Sequence, residues 1–156
     1  MMKRCAVGCA VSVAVVTAIL LVACATNTVN QADARLWLGT WTSDDALLFK
    51  KEINSPDGTV TCFLGKKDVD PYVTFQNKEY KTWKDADGNI WSESFSTGVS
   101  GVMKGLKTQY LAKLSQDGTI MELQSSGDVV DFDPANFPKS LDLGSRYYAR
   151  YLLDHR

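Results

Sequence analysis

Histidine is almost missing from this chain. His155, next to the C-terminus, is the only one, and a lone imidazole there reads as solvated. No cluster of His and Cys exists to hold zinc or copper. The many serines have no base to activate them. Cysteine is equally thin: Cys5, Cys9 and Cys24 crowd the first 24 residues and leave Cys62 alone in the remainder. A chain cut before Cys24, with that thiol modified, would keep Cys62 as its one free thiol and form no intramolecular disulfide, so its stability would have to come from packing. Within a strand-like run, Cys62 reads as a small apolar residue, with intermolecular pairing or a reactive thiol as the alternatives. An excess of either charge is absent as well, at 17 Lys and Arg against 18 Asp and Glu. Beyond residue 24 no segment carries a convincing long 3.6-residue period, which argues against a helical domain. These absences leave no catalytic constellation and no metal site, and the chain reads as a protein other than an enzyme.

Two short motifs imitate chemistry without supplying it. Asp85-Ala86-Asp87-Gly88-Asn89 has the start of a calcium loop. However, Ile90 stands where the sharp-turn glycine belongs, and no Glu follows at the twelfth position. Gly98, Gly101 and Gly105 lack a following Gly-Lys-Ser/Thr and are flanked by strand-like segments, so they do not cradle phosphate. They form either a mobile loop at a barrel mouth or a plain connector.

The one long hydrophobic run lies at the N-terminus. Lys3 and Arg4 precede an uncharged stretch at 5–23, whose strongest block, 13–22, is short for a spanning helix of about 20 residues. A basic head, an apolar middle and a small residue before the cut describe an export signal. The run closes on Leu21-Val22-Ala23-Cys24, which resembles the lipobox of bacterial lipoproteins: an apolar residue, a tolerant position, a small residue, then the cysteine whose thiol becomes a thioether. The resemblance implies removal of residues 1–23. It also implies a covalent diacylglycerol and N-acyl lipid on Cys24 with no other cofactor, and the lipid bilayer as a partner. One acyl chain, at roughly 0.8 kcal/mol per buried methylene, holds only reversibly, whereas two or three anchor stably. Ala25, where an Asp would favour the inner membrane, directs the expectation to the outer membrane of a cell envelope. An uncleaved membrane helix with Cys24 incidental is the competing reading.

Cleavage would leave 133 of 156 residues, enough for one domain with a modest core. Without Lys3 and Arg4 the balance is 15 positive to 18 negative, net −3, which is no footprint for nucleic acid or anionic headgroups. Residues 24–35 are polar apart from Val29 and read as a lipidated tether, of which the 11 residues after Cys24 reach at most roughly 35–40 Å. Residues 36–156 form the expected domain.

That domain is read as all-β. Asp57-Gly58, Asp87-Gly88 and Asp117-Gly118 recur at intervals of 30, each before a Thr or Asn and a β-branched residue. Asp-Gly between alternating runs signals a hairpin, because both turn positions tolerate positive φ. Strands are expected near 46–53, 58–64, 71–76, 79–85, 89–96, 106–114, 118–125 and 145–153. Period-two patterning supports them: Val60, Cys62 and Leu64 share a face, as do Val73 and Phe75, Trp91, Glu93 and Phe95, and Leu106, Thr108, Tyr110, Ala112 and Leu114. About eight antiparallel strands in so short a domain predict a small up-and-down barrel, whose closure removes the sheet edges. Its interior either fills with side chains or holds one small ligand. Residues 131–138 read as a covering loop with a helical turn after Pro134, and 146–153 as a closing strand or a short helix.

Gly39-Thr40-Trp41, at the start of this domain, is similar to the Gly-x-Trp signature of lipocalins and their calycin relatives. The resemblance implies that Gly39 turns the chain into the first strand and that Trp41 plugs the closed end. It also implies an Arg from the last strand across that Trp, either Arg146 or Arg150. Phe75, Trp83, Trp91, Phe95 and Tyr110 fall in the middle strands; they are core if the barrel is solid and a pocket wall if it is hollow. Glu93 is either an inward carboxylate or part of a solvated face. Two functions follow. One is a membrane-anchored barrel that binds or carries a small apolar ligand at the envelope. The other is a solid barrel that docks an envelope complex or inhibits a wall-degrading enzyme, its protein partner unknown.

Overall fold

The computed structural model describes residues 31–66 and 70–156. They form a closed antiparallel barrel in which eight strands pair in chain order and the last returns to the first. The strands are β1 (Gly39–Thr42), β2 (Lys51–Asn54), β3 (Thr59–Phe63), β4 (Val73–Lys84), β5 (Ile90–Gly101), β6 (Lys107–Leu114), β7 (Ile120–Val129) and β8 (Tyr148–His155). A short helix, α1 (Gln31–Arg35), precedes them, and a 3-10 turn (Pro134–Asn136) lies between β7 and β8. The expected all-β, up-and-down architecture is therefore the one observed.

The 30-residue spacing of the Asp-Gly pairs has a simple origin. One up strand, one far turn and one down strand make one period, so all three turns fall at the same end of the barrel. Their geometry differs from the two-residue hairpin. Gly58, Gly88 and Gly118 N–H groups bond back to Ser55, Asp85 and Ser115, and only the glycines take positive φ, at 82°, 81° and 68°. Each is a type I turn closed by a left-handed glycine. The Asp supplies a side-chain cap in two of them: Asp57 Oδ1 accepts from Thr59 N at 2.9 Å, and Asp117 Oδ1 from Thr119 N at 3.1 Å. In the middle turn Asp85, two residues earlier, does this for Asp87 and Asn89.

The strand count agrees with expectation by two compensating differences. The segments expected at 71–76 and 79–85 are one continuous strand, β4, because Asn77 does not turn: its N–H pairs with Gly58 O at 2.8 Å. A register shift between Glu79 and Lys81 makes Tyr80 the extra residue of a bulge. The missing strand is supplied by β1, the segment that holds the Gly-x-Trp motif. Most of the run expected as a strand at 46–53 is irregular. Ser43 Oγ caps Ala46 N at 2.8 Å, Ala46 is buried, and pairing begins only at Lys51.

The wall is uneven in height. β4 and β5 have 12 residues each, whereas β1 and β2 have 4 and β3 has 5. On the short side the N-terminal segment closes much of the gap. Asp33 of α1 is buried and pairs with Lys84 of β4 at 2.8 Å, and the Trp37 carbonyl accepts from both Trp41 Nε1 and Asn54 Nδ2 at 3.1 Å. Residues 31–35, polar enough to read as tether, thus belong to the folded unit because their Asp is ion-paired rather than solvated.

Two apolar clusters plug the barrel. Trp41, Ala46, Ile90, Leu114, Met121 and Tyr151 form one, with Leu36 and Trp37 against it. Cys62, Val73 and Phe75 form the other, with Phe49, Tyr72, Met103 and Leu106 packed beside them. The segment with Gly98, Gly101 and Gly105 is a tight β5–β6 connector, held by Gly98 N to Leu106 O at 2.8 Å and Gly105 N to Gly98 O at 2.7 Å.

Candidate functional site

Between the two clusters the barrel is hollow. A cavity of about 250 Å3 reaches from Cys62 and Phe75 to Met121 and Leu123. Its walls follow from strand register, since residues directly opposite in an antiparallel pair point to the same face. Glu52 stands between Trp41 on β1 and Cys62 on β3, and Asn54 is opposite Val60. On the tall side, Ser94 is opposite Tyr110 and Ser92 opposite Ala112.

β5 is the strand that leaves the space. Its burial alternates strictly, with Ile90, Ser92, Ser94 and Ser96 inward and Trp91, Glu93 and Phe95 outward. Three consecutive inward positions therefore carry one of the smallest polar side chains. Ser92 and Ser94 share a hydrogen bond at 3.0 Å, and Ser96 donates to Asn77 Oδ1 at 2.8 Å. Period-two recurrence of serine was visible in the sequence, and it was the signal for a cavity. The bulky residues on the same strand drew attention instead.

The sequence candidates divide accordingly. Phe75 and Tyr110 line the cavity. Trp83 and Trp91 lie on the outer face, stacked on each other with centroids 6.1 Å apart and planes at 8°. Lys81 and Lys113 sit over their rings at 5.1 and 5.6 Å. Asp85, which accepts from Trp91 Nε1 at 2.8 Å, has its carboxyl held down to about 2, first by that bond and further by Asn89. Phe95 also faces outward, against Phe132 at 4.6 Å, Phe137 at 4.9 Å and Tyr80 at 5.4 Å. The loop with the 3-10 turn covers this outer patch rather than a barrel mouth. Gln109 fixes it by donating to Asp133 O at 2.8 Å and accepting from Asp133 N at 3.0 Å. Glu93 shares this outer face, half-buried.

Gly39 enters β1 with φ +125°, and a Cβ there would lie 2.6 Å from His155 O, so the turn requires glycine. Trp41 is fully buried in the cluster near the Asp-Gly turns. Neither Arg146 nor Arg150 lies across it. Arg146 lies against Tyr147, 4.7 Å from its ring, before β8 begins, and Arg150 is on the outer face of β8, opposite Glu122. β8 runs toward the Trp41 end, so its last residues are the ones that arrive there. Arg156 donates to the carbonyls of Leu36 and Gly118. Cys24 lies outside the described residues.

Electrostatically the cavity is acidic. Its charged lining residues are Glu52, deep inside, and Glu79, exposed at the opening, and no Lys, Arg or His lines it among the described residues. Burial raises the Glu52 carboxyl to about 7, against the opposing effect of a hydrogen bond with Tyr151. The same burial, reinforced by the Glu52 charge, pushes the Cys62 thiol and the Tyr110 and Tyr151 phenols well above their ordinary ranges. Cys62 is a free thiol that burial holds in its protonated form. Two buried polar atoms of lining residues have no partner: Asn54 Oδ1, an acceptor, and Trp37 Nε1, a donor. The exposed lining residues, Ala34, Pro56 and Glu79, mark the opening, beside the β2–β3 turn.

Fold and site together define a hollow eight-stranded up-and-down barrel whose mainly apolar cavity carries serines and a buried carboxyl. Compared with protein-family models, with curated proteins and with solved structures, the chain matches none.

Proposed function

We propose that this protein is a lipid-anchored lipoprotein of the bacterial envelope that binds or carries a small molecule inside its barrel. The hollow interior supports this reading above all. Packed interiors are favoured by dispersion and by the hydrophobic effect, so the small side chains that leave a 250 Å3 cavity forgo packing stability that a barrel with no use for the space would gain. A solid docking module would gain stability from larger side chains at Ser92, Ser94 and Ser96. The anchor rests on the lipobox-like Leu21-Val22-Ala23-Cys24 alone.

The test is mass spectrometry of small molecules released from the full-length protein after mild detergent extraction from producing cells. A stoichiometric molecule is expected, absent from a Ser94→Leu variant whose cavity is filled. Identical spectra for the two proteins would refute ligand carriage. Fractionation of Cys24→Ser tests the anchor independently.

A further inference from the structure

We propose that the cavity takes a small protonated amine, its ammonium beside the Glu52 carboxylate and a compact apolar body against Phe75, Trp37 and Leu123. This rests on the ligand-binding reading above and gives it a substrate class.

Charge is the first argument. The ionisable residues that can be anionic in this cavity are Glu52 and Glu79, and nothing cationic lines it among the described residues. A ligand carboxylate, as on a fatty acid, would sit beside a like charge with no counterion, which is among the most unfavourable arrangements a buried site can have. A cation meets the reverse: an acidic residue at the opening and a second at depth, which draw it inward.

Hydrogen bonding is the second. Glu52 is only 7% exposed and has no cationic partner among the described residues. Its hydrogen-bonding neighbour Tyr151 shares one hydroxyl proton between the carboxylate and Phe49 O, the latter at 3.0 Å, which leaves acceptor capacity on the carboxylate. Asn54, two residues along the same strand, has an unpartnered buried acceptor in Oδ1. An ammonium brings three donors and no acceptor. That complement suits a carboxylate, an amide oxygen and a serine hydroxyl on the opposite wall. A neutral alcohol could accept from Trp37 Nε1, which the ammonium leaves unmet, but its single donor leaves most of these acceptors unpaired.

Size is the third. A cavity of about 250 Å3 falls below the roughly 300–1,000 Å3 of pockets for drug-sized ligands, and holds on the order of eight water volumes. It suits a ligand of about ten non-hydrogen atoms and is too small for a diacyl lipid. The apolar walls supplied by Val60, Phe75, Ala112, Met121 and Leu123 favour an aryl or short alkyl body.

The titratable groups that face Glu52 are Cys62 on β3, Tyr110 on β6 and Tyr151 on β8, with Glu79 on β4 at the opening. Burial keeps the thiol and both phenols neutral, so the amine competes with a proton at Glu52 itself. Affinity should then fall roughly tenfold per pH unit once Glu52 is protonated.

Calorimetric titration of the full-length protein in detergent with 2-phenylethylamine, 2-phenylethanol and 3-phenylpropionate tests the inference. At pH 8 the amine should bind at least tenfold more tightly than either isostere. It should weaken more than tenfold at pH 5.5, and it should lose at least tenfold in Glu52→Gln. The pH series on the unaltered protein needs no variant. Equal affinity for the alcohol or the carboxylate, or an undiminished amine affinity in Glu52→Gln or at pH 5.5, overturns the amine inference and leaves carriage standing. Failure of all three probes overturns it as well, and the mass spectrum of extracted molecules then decides carriage separately.

Discussion

Replacing Glu52 with Gln should stabilise the empty protein, and by an amount that depends on pH. Glu52 is 7% exposed and its carboxyl is raised by burial from 4.5 to about 7. In the unfolded chain the group ionises near its ordinary value. Below about pH 4.5 both states hold the proton, and the group contributes no difference. As pH rises toward 7 the unfolded chain releases its proton while the folded protein retains it, so stability falls. Above 7 both are ionised and the folded state carries a buried charge. At about 1.4 kcal/mol per tenfold change in proton affinity, the full loss is about 3 kcal/mol. Gln keeps the shape and hydrogen-bonding capacity of the protonated acid and never charges. Urea unfolding at pH 5 and pH 8.5 should therefore show little difference between the proteins at the lower pH. At the higher pH the variant should be more stable by about 3 kcal/mol, or on the order of 10 °C in Tm. Asp44, Asp57, Asp85, Asp117 and Asp131, whose carboxyls are all lowered, produce the opposite slope at more acid pH. They are common to both proteins and cancel in the difference. If the gap between variant and parent stays constant across pH, or if the variant is the weaker at pH 8.5, the carboxylate is not the strained group described.

Other perturbations separate the cavity from its surroundings. Phe95→Ala removes contacts with Tyr80, Phe132 and Phe137 on the outer face, and should cost about 2–3 kcal/mol in urea unfolding without changing amine affinity. Gly39→Ala places a Cβ 2.6 Å from His155 O at φ +125°, and should cost at least about 2 kcal/mol by the same measurement. Cys62 should resist thiol-labelling reagents at pH 8 in the folded protein and react once urea unfolds it, because burial holds the thiol protonated. Cys24→Ser, like treatment with globomycin, should change the protein's apparent size and release it from membranes on fractionation.

Much of the fold could be read from spacing, because an up-and-down barrel is built from local hairpins and each hairpin leaves a local mark. The Asp-Gly pairs specify positive-φ glycines at 58, 88 and 118, and the strands between them alternate visibly. The errors fell where strand identity depends on contacts distant in sequence. β1 is a strand because β2 and β8 pair with it, and nothing in its own four residues requires this. β4 is continuous because the β2–β3 turn receives the Asn77 N–H, and the polar run at 76–79 imitates a turn. α1 is helical and folded in because Lys84, some fifty positions later, reaches Asp33.

The site was harder to read for a related reason. Period two says which residues share a face but is silent on which face is inside, and β5 inverts the usual assignment. Its aromatic face would normally be taken as the core. Here Phe132 and Phe137 arrive from a loop more than thirty residues later to bury that face from outside, which frees the serine face to line the interior. The two surfaces are thus coupled. Phe95 places its apolar surface against that outer cluster, and the inward neighbour on the same strand is the small Ser94. A barrel of this size can be hollow only if its bulk is packed elsewhere, and the covering loop, clamped by Gln109, supplies that second packing surface. The buried Glu52, with no cationic partner among the described residues, fits the same design. It lowers the stability of the barrel above pH 7, a cost that the proposed amine would offset, so the proposed affinity and the instability of the free state would share one origin.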